Sequence, residues 1–153
     1  MLSKIPSDSP WNEYYYKEQN GNAIQALPLN SMLLSVVREK SSEDSLEESC
    51  IHVAGVAYSG GSGKKIQTVE ISVDDGRTWI KAELRTDEII ATNASASSFG
   101  WVRFYSTVNV TAGDEAENTE VICRATDEDG TTQPRISPKQ RGYLYNGYNR
   151  ITV

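Results

Sequence analysis

The stretch AGVAYSGGSGKKIQTVEISVDDGRTW, residues 54–79, decides the fold. Val69, Ile71 and Val73 alternate with Glu70, Ser72 and Asp74, a period of two that gives a strand one apolar face. Asp74-Asp75-Gly76 breaks the run, and Gly76 tolerates the positive φ that a chain reversal demands. Thr78, Trp79 and Ile80 restart a strand. Upstream, Gly60-Gly61-Ser62-Gly63 separates this hairpin from an earlier apolar run. The unit reads as strand, glycine loop, strand, tight turn, strand: the seam of an antiparallel β-domain.

Outward from this seam the chain repeats the same grammar. Residues 24–37, IQALPLNSMLLSVV, read as the first strand region, with Pro28 holding Leu27 extended near its start. Residues 38–49, REKSSEDSLEES, are a charged break, read as a solvated loop with room for a short capped turn at Ser42 and Ser45. Residues 50–58 form a second strand, and 66–73 with 78–84 a hairpin. Residues 101–110 are aromatic and β-branched, as strands favour, and 119–125 read as another strand. The segment 133–139 carries Pro134 and Pro138 and must be loop, and the Tyr-rich residues 142–153 read as a terminal strand. About seven short strands at this spacing, with no amphipathic helix, predict an all-β antiparallel sandwich.

Composition agrees with a folded domain. At 153 residues the chain can bury roughly 70% of its unfolded surface in one core. Hydrophobic residues make up 38% and charged residues 24%, outside the range of disordered chains. A net charge of −6 argues against a nucleic-acid binder and against an anionic membrane surface. No apolar run approaches the roughly 20 residues of a spanning helix. The N-terminal lead-in, residues 1–22, is polar, with Trp11 and the run Tyr14-Tyr15-Tyr16. It is expected to be an arm, ahead of a domain at 23–153, that docks either on this domain's surface or on a neighbouring domain, the neighbour being slightly favoured. Being short and acidic, it does not read as a transit peptide, which favours a cytoplasmic over a mitochondrial location.

Candidate chemistry is thin. The run Gly60-Gly61-Ser62-Gly63-Lys64-Lys65 resembles a phosphate cradle only at first sight. A phosphate loop needs GxxxxGK followed by Ser or Thr and a helix, whereas here Tyr58 fills the first glycine position, Lys65 the hydroxyl position, and a strand follows. His52, the one histidine, falls mid-strand without a nucleophile motif and reads as structural. Cys50 and Cys123 supply too few ligands for zinc. They do not fit the disulfide of an immunoglobulin domain either: Val121 stands two before Cys123, and the first Trp after Cys50 is the distant Trp79. Both are read as free thiols. No catalytic residue and no metal site is expected in this chain.

Five ordered motifs carry a resemblance. Residues 27–31 (LPLNS), 55–61 (GVAYSGG) with 69–79 (VEISVDDGRTW), 121–128 (VICRATDE), 132–134 (TQP), and 141–143 (RGY) with 148–151 (YNRI) resemble the C-terminal dimerisation domain of sulfite oxidases and eukaryotic assimilatory nitrate reductases. The likeness covers roughly residues 11–153. It implies an immunoglobulin-like antiparallel β-sandwich whose main work is to hold two subunits together as a homodimer. It also implies a partner in the same polypeptide, a preceding domain that binds the molybdenum cofactor (molybdopterin) and most of the substrate. Sulfite oxidase is the nearer likeness, nitrate reductase the farther.

In sulfite oxidases an arginine directly before a glycine near the C-terminus enters the oxyanion pocket of the neighbouring cofactor domain. Arg141, ahead of Gly142, stands at that position, and the resemblance implies a substrate-binding role for it. A guanidinium suits a sulfur oxyanion because it donates paired hydrogen bonds and keeps its charge. The other reading is a surface arginine. The family's Trp-Asn ahead of this arginine is replaced here by Pro138-Lys139-Gln140. A stand-alone sandwich that binds a partner without redox chemistry is the alternative to the oxidoreductase reading.

Overall fold

In the computed structural model the chain is described over residues 27–40, 48–85, 100–111, 118–138 and 144–153. Eight strands occur there: β1 (Asn30–Lys40), β2 (Glu48–Tyr58), β3 (Ile66–Ser72), β4 (Ile80–Lys81), β5 (Glu83–Arg85), β6 (Val102–Thr111), β7 (Glu120–Asp127) and β8 (Asn149–Thr152). They form two four-stranded sheets, in the orders β1-β2-β6-β5 and β4-β3-β7-β8, with every pairing antiparallel. No helix among the described residues is long and apolar enough to cross a membrane.

Alternation builds the core. Ile51, Val53 and Ala57 of β2 and Phe104, Val108 and Val110 of β6 point inward from one sheet. Val69 and Ile71 of β3 and Val121, Cys123 and Ala125 of β7 meet them from the other. Gly55 lies in register with Phe104, whose ring fills the space a side chain would need: a Cβ on Gly55 would fall 2.2 Å from Phe104 Cζ and 2.3 Å from Met32 O. The glycine is therefore what lets Phe104 occupy the centre of the sandwich.

The seam differs in detail from its sequence reading. Its turn forms as expected: Asp75 and Gly76 take φ of 57° and 82°. After the turn, however, residues 78–84 do not make one strand. β4 pairs with β3, Ala82 N donates to Val69 O at 2.8 Å, and β5 pairs with β6 in the opposite sheet. The chain changes sheets within three residues.

Ser72 also departs from the expected polar face, since it is buried. The turn folds back over this side of the sheet, and Trp79 packs close to Gly76 beside Ile122.

Two other boundaries move. β1 and β2 run into the segment read as a charged break, pairing Glu39 with Cys50 and Lys40 with Ser49. A solvent-facing strand face tolerates charge, so composition alone did not end these strands. At the other end β8 keeps only Asn149–Thr152, because residues 144–148 serve as turn and connection rather than ladder.

Candidate functional site

The motif residues converge on one buried polar knot between the sheets. Gln133 is buried and sits at its centre. Its Oε1 accepts from Ser31 Oγ at 2.6 Å and from Ala125 N at 2.8 Å. Its Nε2 donates to Asn30 Oδ1 at 2.9 Å and to Asn146 O at 3.2 Å. Asn30 Nδ2 reaches Tyr145 O at 3.0 Å, and Asn149 Oδ1 accepts from Leu33 N at 2.8 Å. One amide thus ties β1, β7 and the C-terminal segment together. Buried polar groups are tolerated when each finds its partner, and Gln133 finds its own in Asn30, Ser31 and Ala125, from two other motifs, and in Asn146. Cys123 Sγ lies 3.3 Å from Ser31 Oγ in the same knot, and burial pushes its thiol up to about 11 against a weaker opposing hydrogen bond from Ser31.

A second cluster locks the seam's turn. Thr78 Oγ1 donates to Asp74 Oδ2 at 2.6 Å, Thr78 N to Asp74 Oδ1 at 2.9 Å, and Ser72 Oγ to Asp74 Oδ1 at 2.7 Å. These bonds, led by the Thr78 hydroxyl, hold the Asp74 carboxyl well below the usual carboxylate range. Next to it, Arg135 Nη2 meets Asp75 Oδ2 at 2.6 Å, and Arg150 Nη1 bridges to Glu120 Oε2 at 2.5 Å. Arg124 pairs with Glu70 at 2.8 Å and stacks 3.9 Å from the Trp79 ring, which meets Tyr148 edge-on. Each of these charges has a protein partner, so the cluster holds structure together and offers no open cation to a ligand.

The outer face of the β1-β2-β6-β5 sheet is different. β1 is an edge strand, and its ladder slips between Leu33 and Ser35. The extra residue, Leu34, is thrown outward and is 62% exposed. Met32 and Val37 are also exposed along this strand, with Tyr105 on β6. Met32, Leu34 and Val37 thus form a short exposed apolar row on β1, ahead of the charged Arg38-Glu39-Lys40 that ends the strand. At the far end of the same face His52 Nε2 stands 3.0 Å from Glu39 Oε2 and 3.3 Å from Cys50 Sγ.

Of the residues singled out in the sequence, Arg141 and the arm of residues 1–22 lie outside those described. Cys50 and Cys123 are free thiols, as read, and belong to different sheets. The glycine loop is a short 3-10 turn, Gly60–Ser62, not a phosphate cradle. Gly61 N donates to Leu27 O at 2.9 Å, and a Cβ on Gly60 would fall 1.9 Å from the same oxygen. His52 lies mid-strand, as read; it faces outward, half-exposed, and contacts Glu39 across the strand pair. Glu39 was missed because it lies in the charged break. Only the hairpin register, which places it opposite Cys50, reveals it.

Known proteins share this architecture. The sulfite oxidase of Gallus gallus is 32% identical over 143 residues, 92% of this chain and 28% of that protein. A nitrate reductase (NADH) of Brassica napus is 29% identical over 155 residues, 97% of this chain and 16% of that protein. The sulfane dehydrogenase SoxCD of Paracoccus pantotrophus has the same fold, with a TM-score of 0.55 at 20% identity over 83% of this chain and 30% of its own. The chain spans less than a third of the length of these relatives. Residues 21–153 match the model of the Mo-co oxidoreductase dimerisation domain, and the chain belongs to that family.

Proposed function

We propose that this domain joins two copies of a sulfite-oxidase-like enzyme, with the outer edge of β1 in the contact. The exposed bulge residue Leu34, flanked by Met32 and Val37 on an edge strand, carries the reading. A homodimer of closed symmetry uses one self-complementary patch, and a twofold axis beside an antiparallel edge gives each copy the same contact. The family match favours this over a stand-alone binding sandwich.

In this reading a molybdenum-cofactor domain of the same polypeptide supplies the redox chemistry. Cys123 is not suited to ligate the molybdenum group. A metal thiolate must be deprotonated, and Cys123 is buried with its thiol raised to about 11. What this chain would add is position, and at most one side chain: Arg141, donating paired hydrogen bonds to a sulfur oxyanion. The Tyr-rich arm at 1–22 would pack on the cofactor domain.

Sedimentation velocity tests the dimer. The chain is expected to run as a dimer at micromolar concentration, and Leu34→Asp as a folded monomer. A wild-type chain that stays monomeric at high micromolar concentration overturns the reading. For Arg141, replacement by Met in the full-length enzyme is expected to raise the KM for sulfite, and unchanged KM and kcat would remove it from the pocket.

A further inference from the structure

We propose that Glu39, Cys50 and His52 form a surface site for a zinc-class divalent cation. The three donors come from adjacent strands. Glu39 and Cys50 are direct cross-strand partners, and His52 follows two residues on, on the same outward face. Their ligand atoms all lie within 4.8 Å of one another. His52 Nε2 is 3.0 Å from Glu39 Oε2 and 3.3 Å from Cys50 Sγ. Tetrahedral zinc with ordinary bond lengths separates N from O by about 3.4 Å and N from S by about 3.6 Å. Spreading by a few tenths of an ångström is enough to admit the ion, and the half-exposed His52 and the exposed Glu39 have room to do so.

A second feature points the same way. His52 Nδ1 lies 3.1 Å from Thr107 Oγ1 on β6, its register partner. Facing a carboxylate, Nε2 carries the proton in the metal-free chain; a metal at Nε2 takes its place, and the ring proton then sits on Nδ1 and is donated to Thr107 Oγ1. Zinc-ligating histidines are commonly oriented in this way, by a hydrogen bond from the ring nitrogen that does not bind metal. Thiolate, imidazole and carboxylate together suit zinc or cobalt(II) better than the hard cations calcium and magnesium. Three protein ligands leave a fourth position for water. On binding, Cys50 gives its thiol proton to the buffer and ligates as thiolate.

The test is a titration of the full, reduced chain with zinc against a chromogenic chelator, repeated with cobalt(II) and followed by absorption. One equivalent of zinc is expected to bind, and the cobalt adduct to show a near-ultraviolet thiolate-to-metal band. Cys50→Ser is expected to remove the band, and Cys50→Ser and His52→Gln each to weaken binding by about 100-fold. Thr107→Val, which touches no metal, is expected to weaken it by about 10-fold through the lost orienting bond. All three residues lie on an outer face, and circular dichroism checks that each variant stays folded. No saturable binding at zinc concentrations on the order of 0.1 mM overturns the site. So does binding that Cys50→Ser and His52→Gln leave unchanged.

Discussion

Gln133 shows how a single side chain can carry a family motif without carrying chemistry. Its amide satisfies Ser31, Asn30, Ala125 N and Asn146 O, all within the sandwich. Gln133→Leu would keep the volume and leave several of these groups unpaired, at about 1–3 kcal/mol for each buried orphan. We expect its urea midpoint to fall by the equivalent of about 3 kcal/mol with an unchanged m-value. Asp74 gives the second residue-scale prediction. Its folded carboxyl is more acidic than an unfolded one, chiefly through Thr78. It therefore adds stability above the unfolded value of about 4, and that contribution drains away as pH falls toward the folded value. Asp74→Asn should flatten the acid limb of stability against pH, measured by urea unfolding from about pH 5 downward. Both residues were visible in the sequence as members of motifs. Their partners were not, because Gln133 reaches Asn30 across 103 positions of chain.

At the scale of elements, alternation found β2, β3, β6 and β7 almost to the residue, since each has one face against the core. It did not find the division of 78–84 into β4 and β5. Two-residue and three-residue strands have too few positions to show a period, and which sheet each joins is set by β3 and β6, not by local pattern. The expected end of β1 also missed its last residues, because a charged, solvent-facing strand looks like a loop. Gly55 is where an element depends on a single atom. Gly55→Ala would drive a Cβ into the Phe104 ring and the Met32 carbonyl, and the backbone oxygen cannot rotate away. Overpacking of this kind costs at least about 2 kcal/mol. In a thermal melt that corresponds to a Tm lower by roughly 4–8 °C, and an unchanged Tm would mean that the two sheets part more easily than their packing suggests.

For the whole molecule the question is which surface meets a second copy. The two sheets bury their inner faces against each other, and the seam's turn with Trp79 covers part of the outer side of the β4-β3-β7-β8 sheet. On the other sheet, β1 keeps Met32, Leu34 and Val37 exposed. Association stabilises the folded state by mass action, so the Tm of the wild-type chain should rise with protein concentration. The Leu34→Asp chain should melt at one temperature whatever its concentration. Differential scanning calorimetry over a hundredfold dilution series reads both.

Residue order alone determined the all-β class, the core strands, the turn at Asp74-Asp75-Gly76 and the family. Each of these follows from short-range alternation, a glycine's backbone freedom or a motif read in line. Tertiary structure decided the rest: the strand that changes sheets, the knot around Gln133, the outward Leu34, and the meeting of Glu39 with Cys50 and His52. Those depend on register, and register is set where distant segments pack. A slip of one residue between β1 and β2 would turn Glu39 to the core and leave every local pattern in the sequence unchanged.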